Sequence, residues 1–232
     1  MRRPFRSTVL AMLLAASWWQ PAPAQSIVPD LEKEIRQRAA QIENKLIGWR
    51  RDIHEHPELG EQETRTAGLV ADHLRKLGLE VKTGVAQTGV VAVLRGAKPG
   101  PVVALRADMD ALPVKEPEGL PFASRAKSKY LGREVDVMHA CGHDAHTAIL
   151  MATAEVLTAM KDRLPGTVKF IFQPAEEGPS LYAAFTGKVW GAKAMVREGV
   201  LQDPKPDAIF GLHVNSGLPS GRLAMNSATR CF

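Results

Sequence analysis

Between positions 30 and 51, Leu31, Ile35, Ile42, Leu46 and Trp49 recur at roughly helical spacing in a charged background, which predicts an N-terminal helix. The pattern breaks at Pro57 and Gly60. It resumes with Ala67, Val70 and Leu74 on one face, predicting a second helix that stops at Gly78. The period then changes. The runs "VVAVL" (90–94) and "PVVALRAD" (101–108) are short, apolar and β-branched, and the turn "GAKPG" separates them. A helix is expected over 145–160, a strand at "TVKFIF" (167–172), a helix within 189–198 and a strand at "DAIFGLHV" (207–214).

Strands that are almost continuously apolar are buried on both faces, as in a sheet covered by helices on each side. Alternation of such strands with helices indicates an α/β layered domain. In these folds ligands gather beyond the carboxyl ends of the strands. There the chain places Asp108 and Asp110 after one strand, Glu176 and Glu177 after a second, and His213 at the end of a third.

The first 24 of the 232 residues follow a different logic. Arg2, Arg3 and Arg6 precede the short apolar run "STVLAMLLAASWW", and Ala22-Pro23-Ala24 offers a cleavage site, as in a secretory signal. The run is too short to span a bilayer comfortably, so a mature chain starting near Gln25 and a periplasmic or secreted address are expected. Removing the three arginines lowers the net charge from +5 to +2. No basic stripe interleaved with aromatics and no phosphate-cradling glycine loop remains, which argues against nucleic-acid binding. With only Cys141 and Cys231, the chain is not a disulfide scaffold.

Three stretches carry candidate chemistry. In "MHACGHDAHT" (138–147), Cys141 and His143 flank Gly142, and an extended backbone presents both on one side. A thiolate and an imidazole there suit a borderline-soft divalent metal, and Asp144 is expected to cap the helix that follows. His139 and His146 remain open between ligand-supporting and surface roles. In "FIFQPAEEGP", adjacent glutamates in extended chain point in opposite directions, so one can bind a metal while the other addresses the water it polarises. In "RADMDALP", Asp108 and Asp110 share a face and can ligate a metal or orient a ligand. His213 alone would read as a core histidine and gains weight only from this company. No Gly-x-Ser-x-Gly elbow appears. Cys141 as a nucleophile is the competing chemistry.

Together, "DIHEHPELGEQE", "RADMDALPVKE", "MHACGHDAHTA", "FIFQPAEEG" and "GLHV" resemble, in order and spacing, the M20 metallopeptidases, and most of all their amidohydrolase branch. The likeness covers about 42–223. It implies a zinc-exopeptidase-like mixed sheet with helices on both faces and two divalent metal ions (Zn, Mn, Co or Ni). The metal ligands it implies are Cys141, His143, Glu177 and His213. Glu176 matches the general base and Asp110 an aspartate behind the metals that orients a ligand. The substrates implied are small N-acyl amino acids such as hippurate, with an exopeptidase or dipeptidase as the alternative.

The resemblance also implies that 25–232 is the N-terminal part of a catalytic domain. The lid or dimerisation domain, and a further histidine ligand, are expected to lie beyond the family position matching Phe232. On that expectation this chain lacks part of the site and does not form the family's homodimer normally. An inactive relic that keeps only metal or ligand binding is therefore a rival to the enzyme. No nucleic-acid partner is expected, and no membrane partner once the signal is removed.

Overall fold

A computed structural model describes residues 29–180 and 189–224. The expected signal segment and Cys231 fall outside these residues. Helix α1 (Pro29–Glu55) runs four residues past its predicted end, and α2 (Thr64–Lys76) stops before Gly78. The strands β1 (Glu80–Val85), β2 (Gly89–Arg95), β3 (Lys98–Asp108), β6 (Pro165–Gln173) and β7 (Ala208–Gly211) form one sheet in the order β1-β2-β6-β3-β7. A small hairpin of β4 (Lys127–Tyr130) and β5 (Arg133–Asp136) stands apart. Helices α3 (His143–Thr158) and α4 (Gly191–Arg197) and a 3-10 turn (Lys161–Arg163) complete the described elements. None of the described helices is long and apolar enough to cross a membrane.

The sheet is mixed. β1 pairs with β2 and β2 with β6 antiparallel, whereas β3 is parallel to both β6 and β7. Period-two alternation divides its side chains between two cores. Phe170, Phe172, Val90, Ala92 and Leu94 pack with Val70, Leu74, Leu150 and Met151 of α2 and α3. Ile171, Val91 and Ala104 face the other way and meet Ala194 and Met195 of α4. Helices therefore cover both faces, as the apolar strand runs predict.

Two expectations need correction. The apolar runs predict neither β1, of whose six residues only Val85 is buried, nor the β4–β5 hairpin, which has no buried residue. The last strand was expected to be buried on both faces, yet all four residues of β7 are exposed. It is an edge strand whose sheet partner is β3 alone, and among the described residues little packs over it.

Candidate metal centre

Because β6, β3 and β7 run parallel, their C-terminal ends open on one edge of the sheet. The chain leaving β3 carries Asp110, which is buried, and the chain leaving β6 turns through Ala175 into Glu176 and Glu177. α3 begins at the same edge, with His143 as its first residue. Gly142 makes this entry possible. Its φ of +90° is in the left-handed region, and a Cβ there would lie 2.2 Å from Val214 Cγ2.

His143 is fully buried and its two ring nitrogens have different tasks. Nδ1 lies 2.7 Å from the Asp110 carbonyl oxygen, which can only accept, so Nδ1 carries the proton. Nε2 is then a lone-pair donor. It has no hydrogen-bond partner among the described residues, while Asp108 Oδ2 lies 3.7 Å away and Glu176 Oε2 and Glu177 Oε1 each 3.9 Å away. His213 repeats the arrangement at the exit of β7. Its Nδ1–H donates to the Val214 carbonyl at 2.6 Å, and Nε2 stands 3.4 Å from Cys141 Sγ. Two sets of ligand atoms each fit within 4.8 Å and share His143: Cys141, His143 and Glu177, and Asp108, His143, His146 and His213.

A buried imidazole nitrogen without a partner among the described residues, facing carboxylates and a thiol, is a set of donor atoms that could hold a divalent cation. The charges agree. Burial first, and then the hydrogen bond and charge of Glu177, push the Cys141 thiol up to about 12. The carboxylates of Glu176, Glu177 and Asp108 surround Cys141, the reverse of the electropositive setting that makes a cysteine nucleophilic. The competing cysteine chemistry finds no support in this geometry.

Supporting contacts surround the cluster. Asp110 accepts from His143 Nδ1 through Oδ1 at 3.2 Å and from the Glu177 N–H through Oδ2 at 2.9 Å. It thus touches two ligand candidates at once and lies behind them. His146, left open by the sequence, is a clamp. The Val214 N–H donates to its Nε2 at 2.9 Å, so Nδ1 must hold the proton that goes to Asp108 Oδ1 at 2.6 Å. Burial works to raise the Asp108 carboxyl, but the His146 bond and the Arg106 charge outweigh it and hold it at about 2. His139 is buried without a hydrogen-bond partner among the described residues, and burial lowers it to about 4, so it is neutral.

Asp144 departs from its expected role. Gly142 occupies the cap position of α3, and Asp144, in the first turn, pairs instead with Arg50 and His54. Sequence reasoning also passed over Glu63, whose buried carboxylate accepts the Ala175 N–H at 2.7 Å and the Thr88 hydroxyl at 2.5 Å. An acid just before a helix ordinarily marks a solvent-facing first turn, so nothing local singles it out.

Residues 104–228 match peptidase family M20/M25/M40. A thermostable carboxypeptidase of Saccharolobus solfataricus is 46% identical over 196 residues, covering 84% of this chain and 45% of that protein. An N-acyl-L-amino acid amidohydrolase of Geobacillus stearothermophilus is 39% identical over 194 residues, covering 84% and 47%. A crystal structure from Bacillus subtilis, described as a dinuclear metal-binding peptidase of the M20 family, is 42% identical. It superposes with a TM-score of 0.64 over 78% of this chain and 45% of that one. The chain spans a little under half the length of these relatives. With the sequence motifs, the mixed sheet and the clustered ligand atoms in agreement with that match, the chain belongs to peptidase family M20/M25/M40.

Proposed function

We propose that this chain carries the metal-holding part of an exported amidohydrolase that cleaves the amide bond of small N-acyl amino acids, hippurate among them. The observation that carries the proposal is the unpartnered, buried Nε2 of His143 facing Glu176, Glu177 and Asp108. Cys141, His143, Glu177 and His213 would hold two divalent ions. When bound, the ions supply Lewis acidity and lower the pKa of water at the site.

The remaining steps belong to the side chains. Glu176 is the more exposed of the paired glutamates and lines a cavity of about 380 Å³ together with Arg106, Trp190 and Lys193. Its carboxylate accepts a proton from the attacking water and returns it to the nitrogen of the departing amino acid, which leaves as a neutral amine. Trp190 offers an apolar wall to an acyl group. Lys193 and Arg106 place positive charge where a substrate carboxylate can approach, although Arg106 also pairs with Asp108 at 2.6 Å. Asp110, being buried, acts only by orienting His143 and the Glu177 backbone.

An exopeptidase reading has one observation in its favour, the 46% identity to a protein named a carboxypeptidase. The test measures metal per chain after loading with zinc, manganese, cobalt or nickel, and then release of amino acid from hippurate and from an unblocked dipeptide. Two ions per chain and faster cleavage of hippurate support the amidohydrolase. Faster cleavage of the dipeptide favours the exopeptidase, and metal bound without turnover of either favours a binding relic.

A further inference from the structure

The turn that presents Glu176 and Glu177 is unusual at its first residue. Ala175 is buried and has φ +47°, a left-handed conformation that a side chain with a Cβ rarely adopts. Such a conformation persists only when its surroundings impose it. Its N–H points to Glu63 Oε1 at 2.7 Å, while the N–H two residues on, at Glu177, points to Asp110 Oδ2 at 2.9 Å. Two carboxyl groups thus hold alternate N–H groups of one turn, and the side chains of Glu176 and Glu177 leave that turn toward His143.

Glu63 is placed for this task. It occupies the cap position of α2, yet its side chain makes no capping hydrogen bond. It is fully buried, and its second oxygen is held at 2.5 Å by Thr88, which precedes β2. A buried carboxyl group is expensive to keep unless hydrogen bonds satisfy it. Here it accepts two hydrogen bonds in fixed directions, and one of them ends on the strained residue next to the paired glutamates.

We infer that Glu63 is a positioning residue for the metal site: by accepting the Ala175 N–H it fixes the left-handed turn that aims Glu176 and Glu177 at His143 and Cys141. The inference rests on the proposed metal site, but its effect on the turn does not require metal. Truncation of Glu63 frees the Ala175 N–H, lets the turn relax toward ordinary backbone angles and moves Glu177 away from the other ligands. Loss of a group that orients a ligand in this way weakens metal binding by about 10- to 100-fold.

The test compares the wild-type chain with Glu63→Ala and Glu63→Gln. Cobalt(II) affinity is measured by absorption titration, and amide hydrogen exchange is measured residue by residue without metal. Glu63→Ala should bind cobalt at least about tenfold more weakly and lose at least about tenfold protection at the Ala175 amide. The amides of Phe170 and Phe172 in β6 should change by less than about threefold. Glu63→Gln, whose amide oxygen can still accept from Ala175, should restore both values to within about threefold of wild type. Unchanged cobalt affinity in a folded Glu63→Ala chain overturns the inference. So does a uniform loss of protection across β6, because that marks a general structural role. If the wild-type chain binds no cobalt, the proposed metal site fails, and the Ala175 amide alone still decides whether Glu63 holds the turn.

Discussion

His54 and Asp144 lie ninety positions apart and share a buried 2.8 Å hydrogen bond that ties α1 to the first turn of α3. The other ring nitrogen of His54 meets Glu116 Oε1 at 2.7 Å, and Glu116 in turn accepts the Ser124 N–H. Arg50 adds an ion pair to Asp144 at 2.8 Å. Asp144 directly follows His143, so this network fixes the start of α3 and with it the direction of the imidazole that faces the paired glutamates.

Replacing His54 with alanine leaves Asp144 and Glu116 buried without their shared donor. Breaking one side of a buried pair in this way is expected to lower stability by about 3–5 kcal/mol, read from denaturant unfolding at pH 7. The pH dependence has a definite sign. The hydrogen bond from His54 to Asp144 raises the His54 pKa most strongly, burial opposes it, and Glu116 adds to the rise. A pKa raised by folding contributes stability that is complete below the unfolded value near 6.5 and is lost as pH climbs through the folded value. Wild-type stability should therefore decline as pH rises from about 6.5 through the folded value, and His54→Ala should remove this part of the slope. An equal slope in the variant would assign it to another group.

Asp110 joins two ligand candidates through separate oxygens, one to His143 and one to the Glu177 N–H. Asp110→Ala is expected to weaken zinc binding by about 10- to 100-fold, because His143 and Glu177 lose orientation together. Competition with a chromogenic chelator measures this directly. Asp110→Asn keeps an oxygen for one of the two contacts and should fall between alanine and wild type.

Glu176 has a different signature. If it moves the proton, Glu176→Gln should leave metal affinity near that of wild type and lower hippurate turnover by about 10²- to 10⁴-fold. Metal content and initial rate, measured on the same sample, separate a proton carrier from a ligand. A parallel loss of metal would assign Glu176 to coordination.

What could be seen in the sequence follows from range. Cys141 and His143, or Glu176 and Glu177, are neighbours whose relation to a strand end or helix start is set within a few residues, so their placement at one sheet edge could be anticipated. The near-continuous apolar run at 167–172 likewise encodes both cores locally. The supporting contacts are of another kind. His54 reaches Glu116 across 62 positions, Glu63 reaches Ala175 across 112 and His146 reaches Val214 across 68. A glutamate before a helix or a histidine inside one carries no mark of such a partner. The missed strands failed for the converse reason: β1 and the β4–β5 hairpin are mostly exposed, so their composition is polar and their pairing is enforced by neighbours.

Glu63 gives a second pH effect in chelator-treated protein. Burial raises its carboxyl from 4.5 to about 7, against the pull of the Thr88 and Ala175 hydrogen bonds. The contribution is favourable below the unfolded value and is lost as pH rises toward and through the folded one. A shift of this size corresponds to about 3 kcal/mol between pH 4 and pH 8. Glu63→Gln should lack that loss and become more stable relative to wild type as pH increases. Thermal unfolding across this range reads the difference, and parallel curves for the two proteins would count against the elevated pKa.

The glutamate turn is also confined from the α1–α2 connection. A Cβ built on Gly60 would lie 2.1 Å from the Gly178 carbonyl oxygen and 3.1 Å from Ala175 Cα, both backbone atoms that cannot rotate aside. The Gly60 carbonyl also accepts the Ser180 hydroxyl at 2.5 Å and the Ser180 N–H at 3.3 Å, so the two segments are bonded as well as packed. Gly60→Ala must push them apart and stretch those bonds. Overpacking of this kind is expected to lower stability by about 1–3 kcal/mol. The displacement falls on the turn that carries Glu177, so zinc affinity should fall along with stability, unlike an equally destabilising substitution at Leu74, which lies in the core between α2 and the sheet. Unfolding midpoint and zinc affinity measured together for both variants distinguish a push on the turn from a general loss of fold. Equal zinc affinity in Gly60→Ala and wild type would mean that this contact does not control where Glu177 points.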